Sequence, residues 1–496
     1  MESPRSSAQA SRLLERRSSG QTERHDAQDD ARRDTQRDAQ RDSQRDAQQR
    51  GSNLLHGKVT PTLWRFSLPL MLSFVVNIVY SWIDTYFISH LGAAAIAAIG
   101  FCEQLNFAIF TIASGLVTGT GILLARRIGE GKKEEAERIA AESVTAMIIF
   151  SLSIALSLFV ALPMILPLFG LKADVLHFAL EYMRTVLIGV PGIFCIFHLN
   201  VLMRSAGNSA FSMRTLLVST GLNAVLAPLF VFGLGFIPTM GMSGAGLATA
   251  LSQLCGAAWG FYEAFGGKAA LTLPRTLTMP QWETLRSIVA LGVPSSLQFV
   301  AVSAARVAMA GIANTFGTSV AAAYTLGLKV DFFVYMPIFA VGVALEAITG
   351  QNLGARQVRR VFQFYWASVI QVGLLTLLLA VVAFAFGSAF VRLFTTDEAI
   401  VAIAVGYLRI LALGYPLFAV AVLSARVISG AGDTIRAMFI IGGMALFVQL
   451  PLVYGFAHFT ALSYSGIWLG VLFTYALMAG VGLYELQGKK WLAAKI

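Results

Sequence analysis

Residues 63–91, LWRFSLPLMLSFVVNIVYSWIDTYFISHL, decide the class of the chain. At ~1.5 Å rise per residue this nearly uniform apolar run spans a hydrocarbon core of ~30 Å with some tilt. One acid interrupts it, Asp84. A carboxylate at that depth costs roughly 2.5–3.5 kcal/mol on insertion scales, which makes Asp84 a functional candidate. The plainer alternatives are an acid near enough to the helix end to reach the interface, or one paired to a buried base.

The rest of the chain repeats that character. Of its 496 residues 56% are hydrophobic and only 13% charged, the profile of a polytopic all-α membrane protein. The net charge of +10 reads as a topology signal and not as a nucleic-acid footprint. Cys102, Cys195 and Cys255 lie in apolar runs without ligand spacing and read as small hydrophobes.

Residues 1–58 hold 12 Lys/Arg and 10 Asp/Glu, including the tetrads RDTQ, RDAQ, RDSQ and RDAQ between Arg33 and Gln48. With no apolar face this tail cannot bury surface, so it is expected to be a disordered charged cytoplasmic tail, without a cleavable leader. Twelve hydrophobic segments follow, at about 62–90, 94–124, 138–168, 174–203, 209–233, 243–265, 287–313, 318–350, 361–390, 399–429, 435–457 and 463–487. Loops after even-numbered segments carry Arg126, Arg127, Lys132, Lys133, Arg138, Lys268 and Arg275, whereas those after odd-numbered segments hold little beyond Lys172. The positive-inside rule then places both termini in the cytoplasm.

An internal repeat supplies the architecture. At an offset of 225, without a gap, Pro69/Pro294, Gly92/Gly317, Gly129/Gly354, Tyr182/Tyr407, Arg184/Arg409, Pro191/Pro416 and Gly207/Gly432 coincide. Ser243-Gly244 matches Ser465-Gly466 at 222. A register shared by residues with backbone meaning indicates duplication. Six helices per copy make parallel repeats, with a substrate site between two lobes. The expected division is an N-lobe over 59–265, a cytoplasmic linker at 266–286 with an interfacial Trp282/Arg286 stretch, a C-lobe over 287–488 and a short basic tail at 489–496.

Counting from segment ends places Asp84, Asn223 and Thr249 within roughly one helical turn in height. Their oxygens can ligate a small cation or tune a proton site. In the other half Met309 stands opposite Asp84, and the polar groups at depth are Arg306, Lys329, Asp331 and Glu346. An Arg–Asp or Lys–Asp pair is the expected way to lower the cost of such charges. Arg306, Lys329 and Asp331, with Glu103 in segment 2 and Gln298 in segment 7, are candidates for the substrate cavity.

The ordered motifs SWIDTYFISHLG (81–92), MRSAGNS (203–209), GLNAVLAP (221–228), GAGLATALSQ (244–253), GVPSSLQ (292–298), TGQNLGA (349–355) and SGAGDT (429–434) resemble the multidrug and toxic compound extrusion (MATE) family, bacterial type. The resemblance covers about 60–488. It implies a V of two six-helix lobes and Na⁺- or H⁺-driven antiport of organic, cationic or amphipathic drugs or metabolites across the bacterial inner membrane. By the same resemblance Asp84 matches the first-helix aspartate and Asn223 the fifth-helix asparagine of the cation site, both Na⁺ ligands if sodium couples. Thr249 lies near the sixth-helix threonine.

Three departures stand out: Ala227 where the family often has Asp or Asn, Val302 where some members have a glutamate, and Ser429 for an arginine. A monomeric transporter in the bilayer, with a small-molecule substrate, no resident cofactor and no enzymatic activity, is the expectation. A lipid-linked precursor flippase is the nearest alternative. A prenyl-transfer enzyme would need clustered acids that the membrane segments lack.

Overall fold

The computed structural model describes residues 54–233, 238–265, 271, 273 and 278–494. Twelve long helices make up the body: α1 (Val59–Ser89), α2 (Ala93–Gly129), α3 (Lys133–Ile165), α4 (Ala173–Ser205), α5 (Ala210–Phe232) and α6 (Gly241–Phe265) in the first half. The second half holds α7 (Trp282–Thr315), α8 (Thr318–Gly354), α9 (Val358–Arg392), α10 (Glu398–Gly430), α11 (Thr434–Phe459) and α12 (Tyr464–Gly488). Eleven of these are long and apolar enough to cross a membrane. The exception, α6, is rich in Gly, Ala, Ser and Thr because it packs into protein. Gly246 lies on the backbone of Tyr182, and Gly189 and Gly192 of α4 lie on that of Ala250 and Gln253. Small residues of this kind let membrane helices approach closely.

The duplication is written into the backbone. α2 and α8 begin and end 225 residues apart, as do α4 and α10. Positive φ recurs in register at Gly92 and Gly317 (104° and 106°) and at Gly207 and Gly432 (91° and 99°). It recurs also where glycine was not kept: Gly131 (76°) answers to Arg356 (60°), and Gly241 (55°) to Ser463 (52°). An arginine and a serine held in the left-handed region show that the turn geometry belongs to the fold.

The lobes meet at the end nearest both termini. Cβ atoms at Gly115, Gly119 and Gly129 of α2 would collide with Ser296, Ile288 and Gln351 of the second half. Ser296 Oγ donates to the Thr111 carbonyl (3.1 Å), and Gln351 Nε2 to the Ser205 carbonyl (2.6 Å). α1 belongs to both lobes. Leu63, Phe66 and Leu70 lie in the C-lobe core, Ser67 accepts from Gln371 (3.0 Å), and Ile88 lies in the N-lobe core. Toward the other end α2, α7 and α8 expose Phe107, Val300, Phe332 and Phe333. The molecule is a V that opens away from its termini.

Two boundary expectations need correction. The tail does not run to 58: Leu54 is buried in the C-lobe core, its carbonyl held by Asn352 (3.3 Å) and Arg360 (3.1 Å). Residues 1–53, with the RDxQ tetrads, lie outside the described residues. Trp282 and Arg286 belong to α7 rather than to a linker, of which Leu271 and Leu273 pack on the N-lobe; 266–270, 272 and 274–277 lie outside the described residues. After α12 the chain folds back, burying Trp491, whose Nε1 donates to the Leu486 carbonyl (2.9 Å).

Candidate functional site

In the N-lobe α1, α5 and α6 bring Asp84, Asn223 and Thr249 together, a lateral convergence that heights alone do not give. Thr249 Oγ1 donates to Asp84 Oδ2 (3.0 Å), and Asn223 Nδ2 reaches Thr249 Oγ1 (3.4 Å) and the Tyr80 hydroxyl (3.5 Å). All three are buried; Asp84 is 5% exposed. Ala227, also buried, contributes no ligand. Two oxygens in this pocket, Asp84 Oδ1 and Asn223 Oδ1, have no hydrogen-bond donor. A buried carboxylate oxygen and a buried amide oxygen left without donors are each costly, and a proton or a small cation would relieve that cost. One carboxylate among neutral oxygens fits a monovalent ion such as Na⁺ better than a divalent one, which gathers more carboxylates.

The C-lobe handles its buried acid differently. Asp331 on α8, 1% exposed, makes no ion pair among the described residues, contrary to the expected Arg–Asp or Lys–Asp pair. Oδ1 accepts from the Tyr415 hydroxyl (2.7 Å), while Oδ2 accepts from Tyr335 (3.2 Å) and from Tyr407. Tyr335 and Tyr475 share a further bond of 2.7 Å. Aromatic hydroxyls from α8 and α10 thus do what a base was expected to do. Sequence reasoning missed this cage, although the pairing of Tyr182 with Tyr407 was a visible signal: Tyr182 is buried beside Asp84, as Tyr407 is beside Asp331.

The remaining candidates separate. Arg306 and Lys329 are exposed, without an ion-pair partner among the described residues. Glu103 is exposed and accepts from Ser81 Oγ (2.9 Å). Gln298 is half-buried, and its backbone packs against Gly442 in one of two π-helical turns of α11 (Phe439–Gly443). Glu346 is bound by Arg426 (3.0 Å) and Ser429 (2.6 Å). The arginine absent from 429 is therefore supplied one turn earlier.

Two helical lobes joined at one end, with buried carboxylates flanking a gap, define a polytopic membrane protein built for transport between lobes. The MatE family profile matches residues 69–229 and 294–454, two blocks offset by the same 225 residues, and the chain belongs to that family of membrane transporters. It is 27% identical to "Probable multidrug resistance protein YoeA" of Bacillus subtilis (strain 168), over 87% of this chain and 96% of the relative. Among solved structures, a MOP superfamily transporter from Pyrococcus furiosus, described by the reverse polarity of its binding pocket, superposes with a TM-score of 0.82 at 27% identity, covering 88% of this chain and 97% of that one. An outward-facing multidrug resistance MATE family transporter gives the same score, identity and coverage.

Proposed function

We propose that the protein is a Na⁺- or H⁺-coupled antiporter that exports amphipathic organic compounds across the bacterial cytoplasmic membrane, working as a monomer with both termini inside. The observation that carries this reading is the pair of donor-less oxygens, Asp84 Oδ1 and Asn223 Oδ1, at the N-lobe end of the helix that joins the lobes. A coupling ion neutralises Asp84, and Asn223 and Thr249 hold the carboxylate in place for it. Because the other half of α1 is fixed in the C-lobe core, occupancy at Asp84 alters how α1 rests on the N-lobe. Pro69, lacking an amide donor, is a weak point within the C-lobe anchorage of α1.

The cationic loops at the closed end support a cytoplasmic placement there, so that the gap opens outward. The runs of a multidrug relative and a multidrug structural neighbour support amphipathic substrates. Transport of fluorescent dyes into proteoliposomes under separately imposed Na⁺ and pH gradients tests the proposal. One gradient should drive accumulation; indifference to both would overturn it.

A further inference from the structure

We propose that the C-lobe wall of the gap is an anion-recognition site, in which Arg306 and Lys329 bind the carboxylate or phosphate of an amphipathic organic anion. It deepens the transporter reading by naming a substrate class.

Depth comes first. Lys329 lies eleven residues into α8 and Arg306 nine before the end of α7, so each is roughly 13–17 Å from its helix end. Both are exposed at a level where a cation facing lipid would be expensive, so they face a polar space. Direction follows from helical period. Gly354, twenty-five residues after Lys329 and so on nearly the same face of α8, packs on the backbone of Arg126 and Gly129 of α2 at the closed end. Where the lobes separate, that face opens onto the gap, and Lys329 occupies it. Its counterpart across the pseudo-symmetry is Gln104, so the charge is peculiar to the C-lobe wall.

The acids at this depth take their hydrogen bonds from hydroxyls and not from these bases. Asp331 is saturated by the hydroxyls of Tyr335, Tyr407 and Tyr415. It interacts with Arg306 electrostatically, without forming an ion pair. Its charge thereby offsets part of the cost of holding Arg306 while leaving the guanidinium's donors available. Glu103 stands on the other lobe and accepts from Ser81. Among the described residues no ion pair includes Arg306 or Lys329. Exposed Phe333, one turn from Lys329, offers a surface for the apolar part of the ligand.

The test is equilibrium binding to the full-length protein in phosphatidylcholine nanodiscs, using fluorescence anisotropy of carboxyfluorescein (anionic) and rhodamine 123 (cationic). Carboxyfluorescein should bind tighter. Arg306→Gln and Lys329→Gln should each weaken it roughly tenfold, with rhodamine unaffected. Lys329→Arg, which keeps the charge, should bind as the parent does. Tighter rhodamine binding, or carboxyfluorescein binding indifferent to both neutralisations, would overturn the proposal. Nanodiscs with added phosphatidic acid separate the sources of the anion: displacement of the dye that depends on Lys329 supports the site and assigns it to a lipid headgroup, and no displacement assigns it to soluble anions. Gradient-driven rhodamine export without carboxyfluorescein binding would sink the inference and leave the antiporter reading. Anion binding without driven transport of either dye would do the reverse.

Discussion

Each lobe buries one aspartate, and the two are treated in opposite ways. Asp331 accepts within hydrogen-bond distance on both oxygens, from three hydroxyls in all, whereas Asp84 does so only on Oδ2, from Thr249, with Asn223 and Tyr182 as more distant donors. A carboxyl group bound on both oxygens ties α8 to α10. A carboxyl group less fully bound favours a change of occupant. The duplicated fold thus keeps a carboxyl group beside an equivalent tyrosine in each half, Tyr182 or Tyr407, and in the proposed function one would serve shape and the other coupling.

If that contrast holds, the largest stability effect belongs to the C-lobe. Asp331→Ala leaves three buried hydroxyls without their acceptor and should cost about 3 kcal/mol. Asp84→Asn should change stability by less than about 1 kcal/mol, since it removes a charge that is poorly solvated already. Thermal unfolding of both variants in the same detergent measures the difference, and equal losses would break the comparison.

The seam offers the next effect. Gly115→Val drives a branched side chain into the backbone of α7 and should cost about 2 kcal/mol. It should also open the closed end, so that maleimide labels a reporter Ser205→Cys several-fold faster than in the parent. Unchanged labelling would show that the lobes are not held there.

A smaller effect sharpens the symmetry argument. Tyr407→Phe removes one donor from Asp331 and should cost about 1 kcal/mol, more than Tyr182→Phe in the N-lobe.

The smallest effect is one of pH. Partial burial works to raise the pKa of Glu130, but Lys132, Arg127 and Arg126 outweigh it and hold the carboxyl below its usual range. Its folded value is the lower one, so its contribution is present above the unfolded value, near 4.5, and fades as pH falls through the folded value. Glu130→Gln should therefore flatten the acid limb of the stability profile slightly, these pairs being partly exposed.

Much of the fold was legible because a bilayer imposes length and apolarity on every crossing, and because Gly and Pro preserved the 225-residue register. The α6 helix counted among the hydrophobic segments, at 243–265, although its composition serves helix packing more than lipid contact. The heights of Asp84, Asn223 and Thr249 were legible from counting, and their contact was not, because lateral adjacency depends on how helices pack. The same limit hid the tyrosine cage. Opposite charges are the partners a sequence advertises for Asp331, whereas hydroxyls on α10 become partners only once α8 and α10 are side by side. Leu54 escaped for a related reason: an apolar pair, Leu54-Leu55, at the end of a charged tail gives no periodic signal.

The most direct test compares gradient-driven dye export by Asp84→Asn and Asp331→Asn in proteoliposomes, normalised to folded protein, with dye binding measured in parallel. The account predicts that Asp84→Asn loses coupled export by at least about a hundredfold while binding persists, and that Asp331→Asn exports at close to the parent rate per folded molecule. Parent-like export by Asp84→Asn, or loss of export by well-folded Asp331→Asn, would contradict it.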